Sequence, residues 1–109
     1  MIESIGQRRE FALLRDAGRI RRSGPLGLRC AIDDDSDRVR VAYAIGRSVG
    51  NAVTRNRVRR RLRAILSALD RAGSVRPGWY LVVASPEAST ATFTELQHHL
   101  TRLVAGVHA

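Results

Sequence analysis

Gly50-Asn51-Ala52-Val53-Thr54-Arg55-Asn56-Arg57-Val58-Arg59-Arg60-Arg61-Leu62-Arg63 is the stretch that decides how this chain is read. Between Arg47 and Arg63 there are seven arginines and no acid. Like charges at that density repel unless an anion neutralises them. The same residues carry a helical pattern. With Val58 as origin, Leu62, Ile65, Leu66 and Leu69 fall within about 100° of one another. Asn56, Arg57, Arg59, Arg60 and Arg63 fall on the opposite half, with Arg55 and Arg61 at the borders. The spacing predicts one helix with an aliphatic side and a guanidinium side. A charged helix face is often just solvated, but such faces mix signs and gain from acid–base pairs four apart. This run offers no such pair, so the face is expected to bind a polyanion.

Working outward, Asn51 or Thr54 can cap this helix. It is expected to run to about Arg71 and to stop near Gly73. Before it, Val39, Val41, Tyr43 and Ile45 alternate with Arg38, Arg40, Ala42 and Ala44. Leu28, Cys30 and Ile32 alternate with Arg29 and Ala31 in the same way. Two alternating runs around Asp33-Asp34-Asp35-Ser36-Asp37 predict an antiparallel hairpin. The aspartates lack the glycine and distal glutamate of a calcium loop. Residues 7–17 read as a first helix closed by Gly18, and 19–27 as a loop with room for a short extended piece. Trp79-Tyr80-Leu81-Val82-Val83-Ala84 is continuously apolar and is expected to be buried on both faces. Thr92-Phe93-Thr94-Glu95 is a capping box for a last helix carrying Phe93, Leu96, Leu100, Leu103, Val104 and Val107 on one side. The expectation is a single-domain, two-layer α+β sandwich over 1–109, in the order α-β-β-β-α-β-α. It has a mixed sheet of about four strands and three helices, with 1–7 and 106–109 frayed.

Composition narrows the partner. The 109 residues are 44% apolar and carry a net charge of +9. That excess argues for a polyanionic partner. A membrane surface would call for aromatic anchors beside the charge, and the apolar stripe here is aliphatic. All nineteen basic residues are Arg, which reflects codon bias, since Ala, Gly, Val and Arg are all frequent, and carries no functional reading by itself. One cysteine, Cys30, fits a reducing compartment. With no signal peptide and no apolar run of spanning length, a cytoplasmic chain without membrane contact is expected.

A self-sufficient active site is not expected. His98 and His99 point to different sides of the last helix, and His108 lies in the tail. No His/Cys set has metal-ligand spacing. Asp16, Asp70, Glu87 and Glu95 are scattered, and Cys30 reads as a small packed or cleft-lining residue. Binding remains. Asn56 can orient its arginine neighbours or can simply be exposed. Phe11, Cys30, Ala42 and Ala44 can line a groove for a single strand, the alternative for Phe11 being core.

The run Gly50-Asn51-Ala52-Val53 followed by Arg55-Asn56-Arg57, with Arg-Glu-Phe at 9–11, closely resembles the signature of the bacterial ribonuclease P protein subunit. The resemblance covers about 8–104. It implies a left-handed βαβ crossover, a cytoplasmic protein monomeric when free, and two partners: a catalytic RNA subunit and precursor tRNA. The implied activity is endonucleolytic removal of the 5′ leader, with Mg²⁺ held mainly by the RNA. Contact with the RNA subunit is implied for Arg47, Asn51, Arg55, Asn56, Arg57, Arg59, Arg60 and Arg63. A leader cleft is implied at Phe11, Arg15, Cys30, Ala42 and Ala44, with aromatics often standing in relatives where Arg15 and Cys30 stand here. A ribosomal-RNA-binding protein and a major-groove DNA module are the other readings of the same charge.

Overall fold

Gly78–Ala84 (β5) occupies the middle of the sheet and takes backbone partners on both sides. It pairs antiparallel with Leu26–Ile32 (β3), from Leu26↔Ala84 to Ile32↔Gly78, and parallel with Val39–Ile45 (β4), from Val39↔Gly78 to Ile45↔Ala84. The expected hairpin between 28–32 and 39–45 therefore does not form. Those strands are separated by β5, about 10 Å apart at ordinary strand spacing, and the aspartate segment bridges the gap. Asp33 N donates to Pro77 O at 3.0 Å and Gly78 N to Arg38 O at 2.9 Å. The turn chemistry is as expected, with Asp35 N donating to Asp33 Oδ1 at 3.2 Å. Gly78 has φ 151°, and a Cβ there would collide with the Ala31 carbonyl oxygen, so this crossing point requires glycine.

The computed structural model describes residues 2–6, 8–16 and 19–107. Gln7 as a helix start, Ala17, Gly18 as its cap, and His108 lie outside the described residues. The sheet has five strands, not about four, with β4, β5 and β3 adjacent in that order and one short strand on each outer edge. The extra edge is Ile2–Ser4 (β1), inside the segment expected to fray. It pairs parallel with β4 and so shields an edge that would otherwise stand open. The tight hairpin is formed by Arg21–Ser23 (β2) and β3 around Gly24-Pro25, where a loop with room for a short extended piece was expected.

The register sorts the side chains. Leu28, Cys30, Tyr80, Val82, Val41 and Ile45 share one face, while Arg29, Ala31, Trp79, Leu81, Arg40, Ala42 and Ala44 share the other. Ala52–Arg71 (α2) and Phe93–Gly106 (α3) cover the first face and close the core there. The predicted stripe holds: Val58, Leu62, Ile65 and Leu66 are buried, and Leu69 packs partly against them. In α3 the buried residues are Leu96, Leu100, Leu103 and Val104, whereas Phe93 is 41% exposed. The capping box forms both its bonds, Thr92 N to Glu95 Oε1 at 2.9 Å and Glu95 N to Thr92 Oγ1 at 3.1 Å. The far end of α3 is held as well, because Arg21 Nη1 donates to the Gly106 carbonyl at 2.6 Å.

Arg8–Asp16 (α1) lies on the second face, anchored by the buried Leu14. That face is only partly covered, so β5 alternates between buried and half-buried residues instead of being sealed on both sides. Among the described residues no helix is long and apolar enough to cross a membrane.

The central joint of α2 with the sheet gives a direct test. Leu62 is 0% exposed. Leu62→Ala is expected to lower the unfolding free energy by about 2–5 kcal/mol, measured by denaturant titration with an unchanged m-value.

Candidate nucleic-acid interface

The arginine helix starts at Asn51, whose side-chain oxygen accepts from Thr54 N at 2.9 Å. Of the two possible caps, Asn51 is the one used. Gly50, at φ 153°, leads into it, and a Cβ there would press on the Thr54 side chain. Asn51 thus has a local structural task in addition to any contact with a partner.

From this start, α2 divides its arginines into two sets. Arg57 Nη2 donates to Ser89 O at 3.2 Å, and Arg61 Nη1 donates to Ala91 O at 3.3 Å. Both tie the segment ahead of α3 to α2 and lie half-buried. Arg60 and Arg63 are exposed, as is Arg47 in the short 3-10 turn Arg47–Val49. Arg59 Nη1 donates to Asn56 Oδ1 at 3.0 Å, so Asn56 does hold an arginine neighbour in place. Arg63 lies over the Tyr43 ring, 6.0 Å from its centroid. The Nε atoms of Arg55 and Arg57 are buried without a hydrogen-bond partner. Among the described residues, the ion pairs are Arg38–Glu3, Arg40–Glu3, Arg40–Glu10 and Arg76–Asp34, none of which neutralises the arginines from 55 to 63.

The second expected surface is brought together only in part. Ala42 and the exposed Ala44 lie on the sheet face that carries α1. Phe11, 43% exposed, and the exposed Arg15 belong to α1 and share one flank of it, four residues apart. Cys30 does not join them. It points to the opposite face, packs against the core, and opens on a depression of about 550 Å³ shared with Arg21, Leu28, Ile32 and Val107. Burial pushes its thiol up, against the lowering effect of Arg21 and Arg76, which is the wrong direction for a nucleophile. The cleft-facing residues of β3 are Arg29 and Ala31. Arg29 is in register with Leu81 and, across β5, with Ala42, and its buried Nε has no hydrogen-bond partner. Strand parity could have found it, since Cys30 alternates in phase with the core residues Leu28 and Ile32. Glu10, Arg40 and Trp79 on the same face form a network that no local sequence pattern signals.

Among the described residues, no group of three or more His, Cys, Asp or Glu side chains is arranged to hold a metal ion. His99 Nδ1 is hydrogen-bonded to Ser23 Oγ at 2.8 Å, while His98 is exposed on another side of α3.

A family model described as Ribonuclease P matches residues 2–108. The ribonuclease P protein component of Beutenbergia cavernae is 39% identical over 89 residues, which are 81% of this chain and 73% of that protein. The one from Mycobacterium avium is 43% identical over 79 residues, 68% of this chain and 65% of that protein. The one from Thermus scotoductus is 45% identical over 64 residues, 59% of this chain but only 37% of that protein. Among solved structures, the Staphylococcus aureus RNase P protein superposes with a TM-score of 0.81 at 18% identity, covering 95% of this chain and 94% of that one. The Thermotoga maritima RNase P protein gives 0.78 at 21% identity, covering 95% and 96%. At these identities the two structures speak for the fold.

The contact of Arg63 with Tyr43 sits on a phenol that can be titrated. Burial pushes the Tyr43 hydroxyl up to about 12, with Arg63 acting in the lowering direction. Tyr80 is pushed up further, by burial first and by Cys30 second. An unfolded tyrosine ionises near pH ~10. The folded state therefore keeps protons that the unfolded state has lost, and this contribution to stability is present below about pH 10 and disappears as pH rises toward about 12. An ultraviolet phenolate titration should show neither tyrosine ionising near pH ~10 while the protein is folded, and both doing so in denaturant.

Proposed function

The chain belongs to the ribonuclease P protein family, and from that premise we propose that it is the protein subunit of an endoribonuclease ribonucleoprotein that removes the 5′ leader of precursor tRNA. The proposed partners are a catalytic RNA subunit and the precursor tRNA. The observation that carries this reading is the outward row of α2. Arg59, Arg60 and Arg63 stand on a helix whose other side is locked into the core, and none is paired with a carboxylate among the described residues. Such a row meets phosphates at no cost in helix order, and the rigid fork of each guanidinium suits phosphate oxygens. Phosphate contacts set register and orientation and leave sequence unread, as suits a partner recognised by its folded shape.

In this reading Arg57 and Arg61 act first on their own chain, by fixing the 89–91 segment against α2, and Asn51 and Asn56 hold the helix start and Arg59 in place. Arg47, Arg55, Arg60 and Arg63 supply the free charge. Phe11, Arg15, Ala42 and Ala44 border the open sheet face, where the leader would lie. On that floor the β3 residue is Arg29, and Cys30 lies on the opposite face. Mg²⁺ is proposed to be held mainly by the RNA, and no step is routed through a metal on this chain. What the chain's residues do is bind, orient and neutralise.

The test is cleavage of precursor tRNA at low Mg²⁺ by the RNA subunit, with and without this protein. A gain in rate or in substrate affinity is expected, and no gain would defeat the proposal. Preference for duplex DNA of defined sequence at physiological salt would favour the DNA-binding reading. Removing Arg60 and Arg63 together by alanine should weaken binding to the RNA subunit and lower the salt slope by about 1.4 to 1.8 log units per decade, at 0.7 to 0.9 per phosphate contact. Thermal stability should stay near wild type. Arg57→Ala and Arg61→Ala, by contrast, should lower stability by about 1 to 3 kcal/mol each through the carbonyls of Ser89 and Ala91.

A further inference from the structure

The nine described residues of α1 are too few to hold themselves helical in water, so their position depends on what fastens them to the sheet. Leu14 is one fastening, at 1% exposure. The other is four residues earlier, on the same side of the helix. There Glu10 Oε2 accepts a hydrogen bond from Trp79 Nε1 at 2.9 Å and faces Arg40 Nε at 3.9 Å. Arg40 in turn lies over the Trp79 ring, 5.3 Å from its centroid. Leu14 alone would act as a pivot. Two fastenings at residues 10 and 14 define a line and stop rotation about the helix axis. The flanks then follow: Arg9 and Leu13 turn about 100° to one side, and Phe11 and Arg15 about 100° to the other. Arg9 and Leu13 face a cavity of about 620 Å³ shared with Glu3, Arg38, Arg40 and Trp79. Phe11 and Arg15 are left on the flank away from that cavity. Ala42 and Ala44 lie further along β4 from Arg40, on the same sheet face.

We propose that Glu10 is a positioning residue, which sets the rotation of α1 through Trp79 and Arg40 and thereby aims Phe11 and Arg15 at a single-stranded leader on the open sheet face. This rests on the reading of the chain as a ribonuclease P protein. The contact is ionic on one side and a neutral indole donor on the other, so two substitutions separate its parts. Glu10→Gln keeps an acceptor for Trp79 and removes the charge opposite Arg40. Trp79→Phe keeps a ring under Arg40 and removes the donor.

The experiment measures, for wild type and both variants, affinity for the RNA subunit and the affinity of the holoenzyme for two RNAs. One is precursor tRNA with an extended leader and the other is the same RNA trimmed to its mature 5′ end. Affinity for the leader-bearing RNA is expected to fall by about tenfold, equivalent to about 1.4 kcal/mol, as Phe11 and Arg15 lose their fixed aim. Affinities for the trimmed RNA and for the RNA subunit should stay within about twofold of wild type by the same reasoning. Trp79 is the single tryptophan, so its emission reads the contact directly, and Glu10→Gln should shift it in the free protein. Equal losses for both RNAs, or an unchanged leader affinity despite a shifted emission, would overturn the proposal. Failure of the underlying reading looks different, because the wild-type protein itself would then not bind the RNA subunit or raise cleavage.

Discussion

Backbone pairing on both sides of β5 is the constraint from which the rest of the molecule follows. An apolar strand with two unpaired edges is costly, since each buried amide or carbonyl left without a partner loses about 1–3 kcal/mol. Here β3 and β4 supply the missing partners, one antiparallel and one parallel. The parallel neighbour cannot be reached by a tight turn, so the chain between β4 and β5 must cross over, and α2 is that crossing. Its aliphatic stripe then has one place to go, the sheet face carrying Tyr80 and Val82. The joint at the start of β5 is tightened by Arg76. That residue accepts the Tyr80 hydroxyl at its carbonyl at 2.6 Å, grips Asp34 at 2.6 Å and reaches the Val107 carbonyl at 3.4 Å. The strand entry, the aspartate segment and the end of α3 thereby meet at one side chain.

Placing seven arginines on and beside one helix raises a repulsion problem that the fold meets in two ways. Part of the charge is turned inward onto carbonyl oxygens, with Arg57 and Arg61 holding Ser89 and Ala91 just before the α3 cap at Thr92. These bonds join the two helices that cover the core, so the charge contributes to packing. The rest is left in water, where screening over about 8–10 Å weakens repulsion. Among the described residues, Glu3 and Glu10 go to Arg38 and Arg40 on the far side of β4, and Asp34 goes to Arg76. The separation leaves one exposed guanidinium row free for an external anion.

The helices were legible in the sequence because their signals are local. The stripe from Val58 to Leu69, the stop near Gly73 and the Thr92–Glu95 box each lie within one helix. Strand pairing was not legible, because alternation says which face a residue takes and is silent on which strand lies alongside. The aspartate segment reads as a turn whether it closes a hairpin or spans a third strand. Its six-residue length, 33–38, was the available hint. The edge strand Ile2–Ser4 is too short to carry a pattern of its own. At the candidate site the parity of 28–32 separates Cys30 from Ala42 and puts Arg29 on the cleft side, so this part of the site was legible in the alternation itself. The Glu10–Trp79 contact joins residues 69 apart, which no local pattern could anticipate.

The two faces of the sheet explain why one small chain can present two surfaces of different chemistry. The sealed face takes almost all the aliphatic residues, and it fixes α2 so firmly that its outer row is rigid. The other face is left half covered by nine residues of α1, with small side chains at Ala42 and Ala44 and a floor of Leu81 and Val83 that is neither buried nor open. Widening that cover would bury more apolar area, at about 25 cal/mol per Å², and would stabilise the fold. It would also cover the half-buried apolar floor on which, in the proposed reading, an unstacked base would lie. On the proposed reading the shortness of α1 is therefore what gives the chain room for a single strand, while the rigid row on α2 meets a folded RNA through its phosphates. Stability withheld from one face and rigidity gained on the other are two consequences of the same placement of β5.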